Sequence, residues 1–71
     1  MNRDVEVAKV SSVVFEFRPR SAKAKRWVRR NIAADALREG GAFLAENRQA
    51  RDIAEDMRAH GLTMGPWDPS I

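Results

Sequence analysis

Between positions 18 and 30 stand seven basic residues and no acid: Arg18, Arg20, Lys23, Lys25, Arg26, Arg29 and Arg30. The chemistry open to such a run is electrostatic, the neutralising of phosphates or of a carboxylate-rich surface. Other reactive groups are sparse. His60 is the only histidine, and no nucleophile and orienting acid fall at spacings that would assemble a catalytic set around it. A place at a helix C-terminus, near the negative end of the dipole, accounts for it more simply. Asp52, Glu55 and Asp56 are interleaved with Arg51 and Arg58, the pattern of a solvated helix face rather than of a cation site. Gly40-Gly41 lacks both the following Lys-Ser/Thr and the three-glycine spacing of a phosphate loop, and reads as a turn. No cysteine is present, which removes thiolate zinc sites and disulfide staples. The expectation is a protein that is not an enzyme and carries no metal and no cofactor.

The charge is segregated. Residues 1–17 hold two basic against three acidic residues, residues 18–30 hold only the seven cations, and residues 31–71 hold four arginines against seven acids. The net charge of +3 therefore originates in one short stretch. That asymmetry implies an anionic partner for one face, or a meeting of the two signs within or between chains.

Several elements must position this stretch. Val13-Val-Phe-Glu-Phe-Arg18 has the β-branched and aromatic content of a strand, with Val13, Phe15 and Phe17 on one face. Val5–Val10 alternates more weakly; it extends that strand or pairs with it through a hairpin at Ser11-Ser12. Pro19 closes the strand because it has no N–H to give to a ladder. Ser21 is placed to cap a helix. On a 100° wheel Ala24, Trp27, Val28, Asn31 and Ile32 share one arc, and Lys23, Lys25, Arg26, Arg29 and Arg30 the other. Continuing that helix past Ile32 would bring Asp35, Arg38 and Glu39 into the apolar arc, so it ends near residue 32. Residues 33–39 form a separate turn before the glycine pair.

Residues 42–46 read as a short strand, because a helix running from there to His60 would bury Glu46 and expel Leu44. A helix then covers 49–60, its apolar stripe being Ala50, Ile53, Ala54 and Met57. Gly61 suits a left-handed cap followed by Leu62 in hydrophobic contact. Thr63-Met64 adds an extended residue or two. Gly65-Pro-Trp-Asp-Pro-Ser-Ile71 reads as a tail unable to form a helix or a central strand.

The order implies an α+β fold, a small two-layer β-α-β-α domain over residues 1–64 with the tail at 65–71. Residues 1–12 are either flexible or an additional strand. The 19–41 connection is long enough for a right-handed crossover between parallel strands. Its core would join Val13, Phe15, Phe17 and Phe43 to Trp27, Val28, Ile32, Ile53 and Met57. Two strands make a poor sheet, and a chain of 71 residues buries only roughly 60 to 65% of its unfolded surface. A third strand or a homodimer would answer both shortfalls.

The order Phe17-x-Pro19, a helix carrying Ala24-x-x-Trp27, a strand led by Gly40-Gly41 and ending at Glu46, and a helix closing on Met57-Arg58-x-x-Gly61-Leu62 resembles short uncharacterised proteins of bacteria and their phages. The resemblance spans about residues 13–64 and implies the strand at 42–46; it implies no activity.

Two functional readings follow. In the first, the basic helix tracks a nucleic-acid backbone through Arg18, Arg20, Lys23, Lys25, Arg26, Arg29 and Arg30, with low sequence selectivity because no base-reading module is visible. In the second, a small accessory protein docks that helix, or a strand edge, on an acidic partner, and Trp67 is a candidate interface anchor. Trp27 lies on the apolar arc and belongs to the core in both. Attachment to a membrane surface would need the apolar face that the fold already uses. No apolar run approaches a span and no signal-peptide core is present, so the expected location is the cytoplasm of a bacterium.

Overall fold

The computed structural model describes residues 3–71. Two strands come first, β1 (Val5–Lys9) and β2 (Val14–Pro19). They pair as an antiparallel hairpin in which Val5 faces Pro19 and Val7 faces Phe17. The connection runs through the two serines: the N–H groups of Val10 and Ser11 both donate to the Val14 carbonyl. The alternation of β1 is thus the alternation of a strand, with Val5 and Val7 fully buried. Val13 departs from expectation. It sits in the hairpin loop rather than the strand and is 53% exposed.

Helix α1 (Ala22–Asn31) starts where Ser21 accepts the Ala24 N–H at 3.0 Å and ends at Ile32, whose backbone is extended. It buries Ala24, Trp27 and Val28. The chain then makes two 3-10 turns, at Ala34–Ala36 and Glu39–Gly41. Gly40 and Gly41 adopt φ of 74° and 80°, a conformation that glycine reaches without steric cost. Gly41 lies on the Pro19 ring, so a methyl group there would meet Pro19 Cγ at 3.4 Å.

That contact decides the direction of β3 (Phe43–Glu46). The two turns carry the chain back to the end of β2, so β3 can only run the other way, with Phe43 opposite Phe17 and Glu46 opposite Val14. The pair is antiparallel, not the parallel crossover that the length of the connection suggested. Phe17 and Phe43 stack with centroids 5.0 Å apart and planes 2° from parallel.

Helix α2 (Asn47–Ala59) follows β3 without a linker, two residues earlier than the wheel implied. The reason is tertiary: the first helical N–H, on Asn47, donates to the Val13 carbonyl in the hairpin loop at 2.8 Å. At the other end Gly61 (φ 79°) donates to Arg58 and Leu62 to Met57, the two bonds of a Schellman cap. Leu62 is buried beyond it.

The last strand, β4 (Met64–Pro66), pairs parallel with β1. Gly65 and Pro66, assigned to the tail by sequence, therefore belong to the sheet, although at its edge, where a residue without an N–H is tolerated. The sheet order is β3-β2-β1-β4. Both helices cover one face, over Val5, Val7, Phe15, Phe17, Phe43 and Ala45. The α+β class holds, with four strands in place of two or three. Since one chain completes the sheet, a homodimer is not needed to supply strands. The radius of gyration of 10.7 Å matches the roughly 11 Å expected of a compact chain this long, and the tail past β4 folds against α2 through Arg58, Asp68 and Ser70. Residues 1 and 2, included in the domain by sequence, lie outside the described residues.

Candidate functional site

The seven cations separate into two groups once folded. Arg18 is on β2, its guanidinium 3.5 Å from Glu16. Arg20, just beyond the strand, reaches Glu6 at 3.2 Å. The Arg20 pair is exposed and the Arg18 pair half-buried, so each stabilises the fold by at most about 1 kcal/mol, yet each also lowers the net charge that its arginine offers a partner. Lys23 is turned toward the end of α2: its ammonium would be 3.0 Å from a Cβ on Gly61, beside the carbonyl end of that helix.

Lys25, Arg26, Arg29 and Arg30 are different. All four are exposed on α1, and among the described residues none has a carboxylate within 4.0 Å. Ala24, Trp27 and Val28 hold the opposite side of the helix in the core, so these four cations project from a fixed rod rather than a loose tail. Residues four apart on such a rod are displaced by about 6 Å along its axis.

The two flanks of α1 border different grooves. On one, Lys25 and Arg29 face Arg38 across Pro19, Val28, Leu37 and the glycine pair. On the other, Lys23, Arg26 and Arg30 rim a groove closed by His60 and Leu62 from the end of α2, with Trp27 and Asn31 between. Trp27 is 8% exposed and meets the His60 ring edge-on, centroids 6.4 Å apart. The Asn31 amide donates to the Trp27 carbonyl at 2.8 Å, which leaves its own oxygen free to accept.

Arg38, Asn31, His60 and Leu62 were not legible as site residues. No sequence periodicity links residue 38 or 60 to helix α1; the return loop and the Schellman cap bring them there. Trp67, in contrast, shares no groove with the basic face. It is 49% exposed, with the Lys9 ammonium 5.5 Å above its ring. It lines a groove of about 520 Å³ with Phe15, Arg48, Arg51 and Ile71.

Asp52, Glu55 and Asp56 are exposed on α2, and among the described residues no three histidine or acidic side chains gather as metal ligands. His60 Nδ1 lies 2.9 Å from the Asp56 carbonyl oxygen and 3.7 Å from its carboxylate, a helix-terminal contact of the kind foreseen for it. No helix among the described residues is long and apolar enough to cross a membrane.

Comparison with known proteins yields no matching family model, no matching curated relative and no matching solved structure.

Proposed function

We propose that this is a small, non-enzymatic nucleic-acid-binding protein that tracks the phosphate backbone with helix α1. The observation that supports the reading is the set of four cations, Lys25, Arg26, Arg29 and Arg30, with no carboxylate of the described residues within 4.0 Å, on a helix anchored by Trp27 and Val28. A fold that needed these charges for its own stability would pair them, as it pairs Arg18, Arg20 and Arg58. Low sequence selectivity follows, because backbone contacts carry no base information. On this reading the protein works in the cytoplasm, where its partner is found.

A salt series tests it. If four cations contact phosphates, log K falls against log[salt] with a slope of about −3 to −4. The triple reversal R26E/R29E/R30E should abolish retention of short DNA or RNA at about 50 mM salt while leaving circular dichroism unchanged. No retention of any nucleic acid by the wild-type chain at low salt would sink the proposal.

The second reading, an accessory factor docking on an acidic protein, is supported by a different observation. Trp67 is half exposed in a groove that no residue of the basic helix lines, and tryptophan is a common anchor between proteins. A self-association through the unpaired edge of β3, giving a homodimer, belongs to this reading and is read directly by light scattering.

A further inference from the structure

One groove on the basic face differs from the rest of it. Lys23, Arg26 and Arg30 supply three cations at its rim, and Trp27, His60 and Leu62 supply aromatic and apolar surface within it. The groove on the opposite flank offers Lys25, Arg29 and Arg38 but only aliphatic neighbours, Pro19, Val28 and Leu37. Cations alone suit a phosphate. Cations beside an aromatic and apolar wall suit a phosphate with a planar ring attached.

Size and polarity point the same way. The groove encloses about 320 Å³, the low end of the roughly 300–1,000 Å³ typical of small-ligand sites, room for one nucleotide and not a base pair. Within it the Asn31 amide oxygen is an open acceptor. Trp27 lines the groove too, its indole N–H buried out of a ligand's reach. Nucleobases present donors and acceptors on their edges, which inorganic phosphate does only in part.

We infer that the groove between α1 and the C-terminal end of α2 seats a single unpaired nucleotide. Its phosphate lies on Lys23, Arg26 and Arg30, and its base lies against Trp27, His60 and Leu62. The inference rests on the backbone-tracking reading above and adds a preference to it. A base inside a duplex is stacked on both faces and paired along its edge, so it cannot enter a side groove unless extruded. The protein then favours single strands over duplexes of equal length.

The experiment uses the full chain carrying W67F, so that Trp27 is the sole indole reporter. It is titrated at fixed salt with a single-stranded DNA dodecamer, with the duplex of the same sequence, and with inorganic phosphate. The expected result is a change in Trp27 emission with the single strand, an affinity about tenfold above that for the duplex, and little response to phosphate. H60A, and independently N31A, should bring the ratio of single-strand to duplex affinity toward one; both side chains are exposed, and circular dichroism checks that each variant folds. Equal affinity for the two forms with no effect of H60A or N31A overturns the nucleotide site and leaves the backbone-tracking reading standing. An emission change with phosphate matching that with the oligonucleotide overturns it as well, in favour of a simple anion site. Absence of binding to either form removes both proposals together.

Discussion

Asp4 and Thr63 hydrogen-bond each other three times across 59 residues of sequence. The Thr63 N–H donates to Asp4 Oδ2 at 2.9 Å, the Thr63 hydroxyl donates to the same oxygen at 3.2 Å, and the Asp4 N–H donates to that hydroxyl at 3.1 Å. The Asp4 carbonyl meanwhile accepts from Arg20 and Ser21. One residue thus fastens the entry to β1, the cap of α1 and the approach to β4. The Thr63 N–H, the Ser21 hydroxyl, the Thr63 hydroxyl and the Lys23 charge together hold the Asp4 carboxyl below its ordinary range, against a smaller opposing effect of burial.

A pH dependence follows with a definite sign. A carboxyl whose folded-state pKa is depressed stabilises the fold above its unfolded pKa and ceases to do so as pH falls through the folded value. Stability should therefore be flat near neutrality and decline on the acid side, below about pH 4. D4N should be less stable than wild type at pH 7 and should lose less on acidification. Urea unfolding at a series of pH values measures both, and an acid limb equally steep in D4N would remove Asp4 as its source.

The left-handed cap of α2 makes a second prediction. G61A places a methyl group at φ 79° and 3.0 Å from the Lys23 ammonium. The backbone conformation alone costs roughly 1–2 kcal/mol. For a domain this small that lowers Tm by something like 4–16 °C, and the melting curve should shift without losing cooperativity.

Charge reversal should discriminate between cations that look alike in sequence. R18E and R20E alter residues already paired with Glu16 and Glu6, whereas R26E and R29E alter unpaired ones. Retention of nucleic acid should fall more for the second pair than for the first. Equal losses would mean that the ion pairs do not tax Arg18 and Arg20, and that the binding surface extends onto the sheet.

The placement of Val13 in the hairpin loop and of Val7 in the core can be tested by substitution. V13T changes an exposed loop residue and should leave stability within about 0.5 kcal/mol of wild type. V7A removes buried carbon from a side chain with no exposure and should cost about 2 kcal/mol. F17A and F43A should each cost about 3–5 kcal/mol. Chains of this size have total stabilities on the order of 4–10 kcal/mol, so either phenylalanine variant should be largely unfolded on modest heating. Because the two rings stack, the double variant should be milder than the sum of the singles.

Much of this molecule could be read along the chain, wherever an element announces itself by local pattern. The arc of Ala24, Trp27 and Val28, the Ser21 cap, the Gly61 terminator and the strand at Phe43 are statements about neighbours within a few residues, and periodicity and capping report these. The basic face was readable for the same reason: cations at helical spacing must share a side. Strand direction was not, because it depends on where an eleven-residue return loop lays its glycines, and that depends on the Pro19 ring it packs against. Nor could the early start of α2 be foreseen, since a carbonyl from another hairpin satisfies Asn47. Membership of Pro66 in the sheet likewise follows from the free edge of β1. The stretch from Arg18 to Arg30 shows the division most clearly. Composition placed seven equivalent charges between residues 18 and 30; only folding, by bringing Glu6, Glu16 and the end of α2 alongside, engaged Arg18, Arg20 and Lys23 and left Lys25, Arg26, Arg29 and Arg30 open. Charge is a property of the residue, but whether it is free is a property of its neighbours in space.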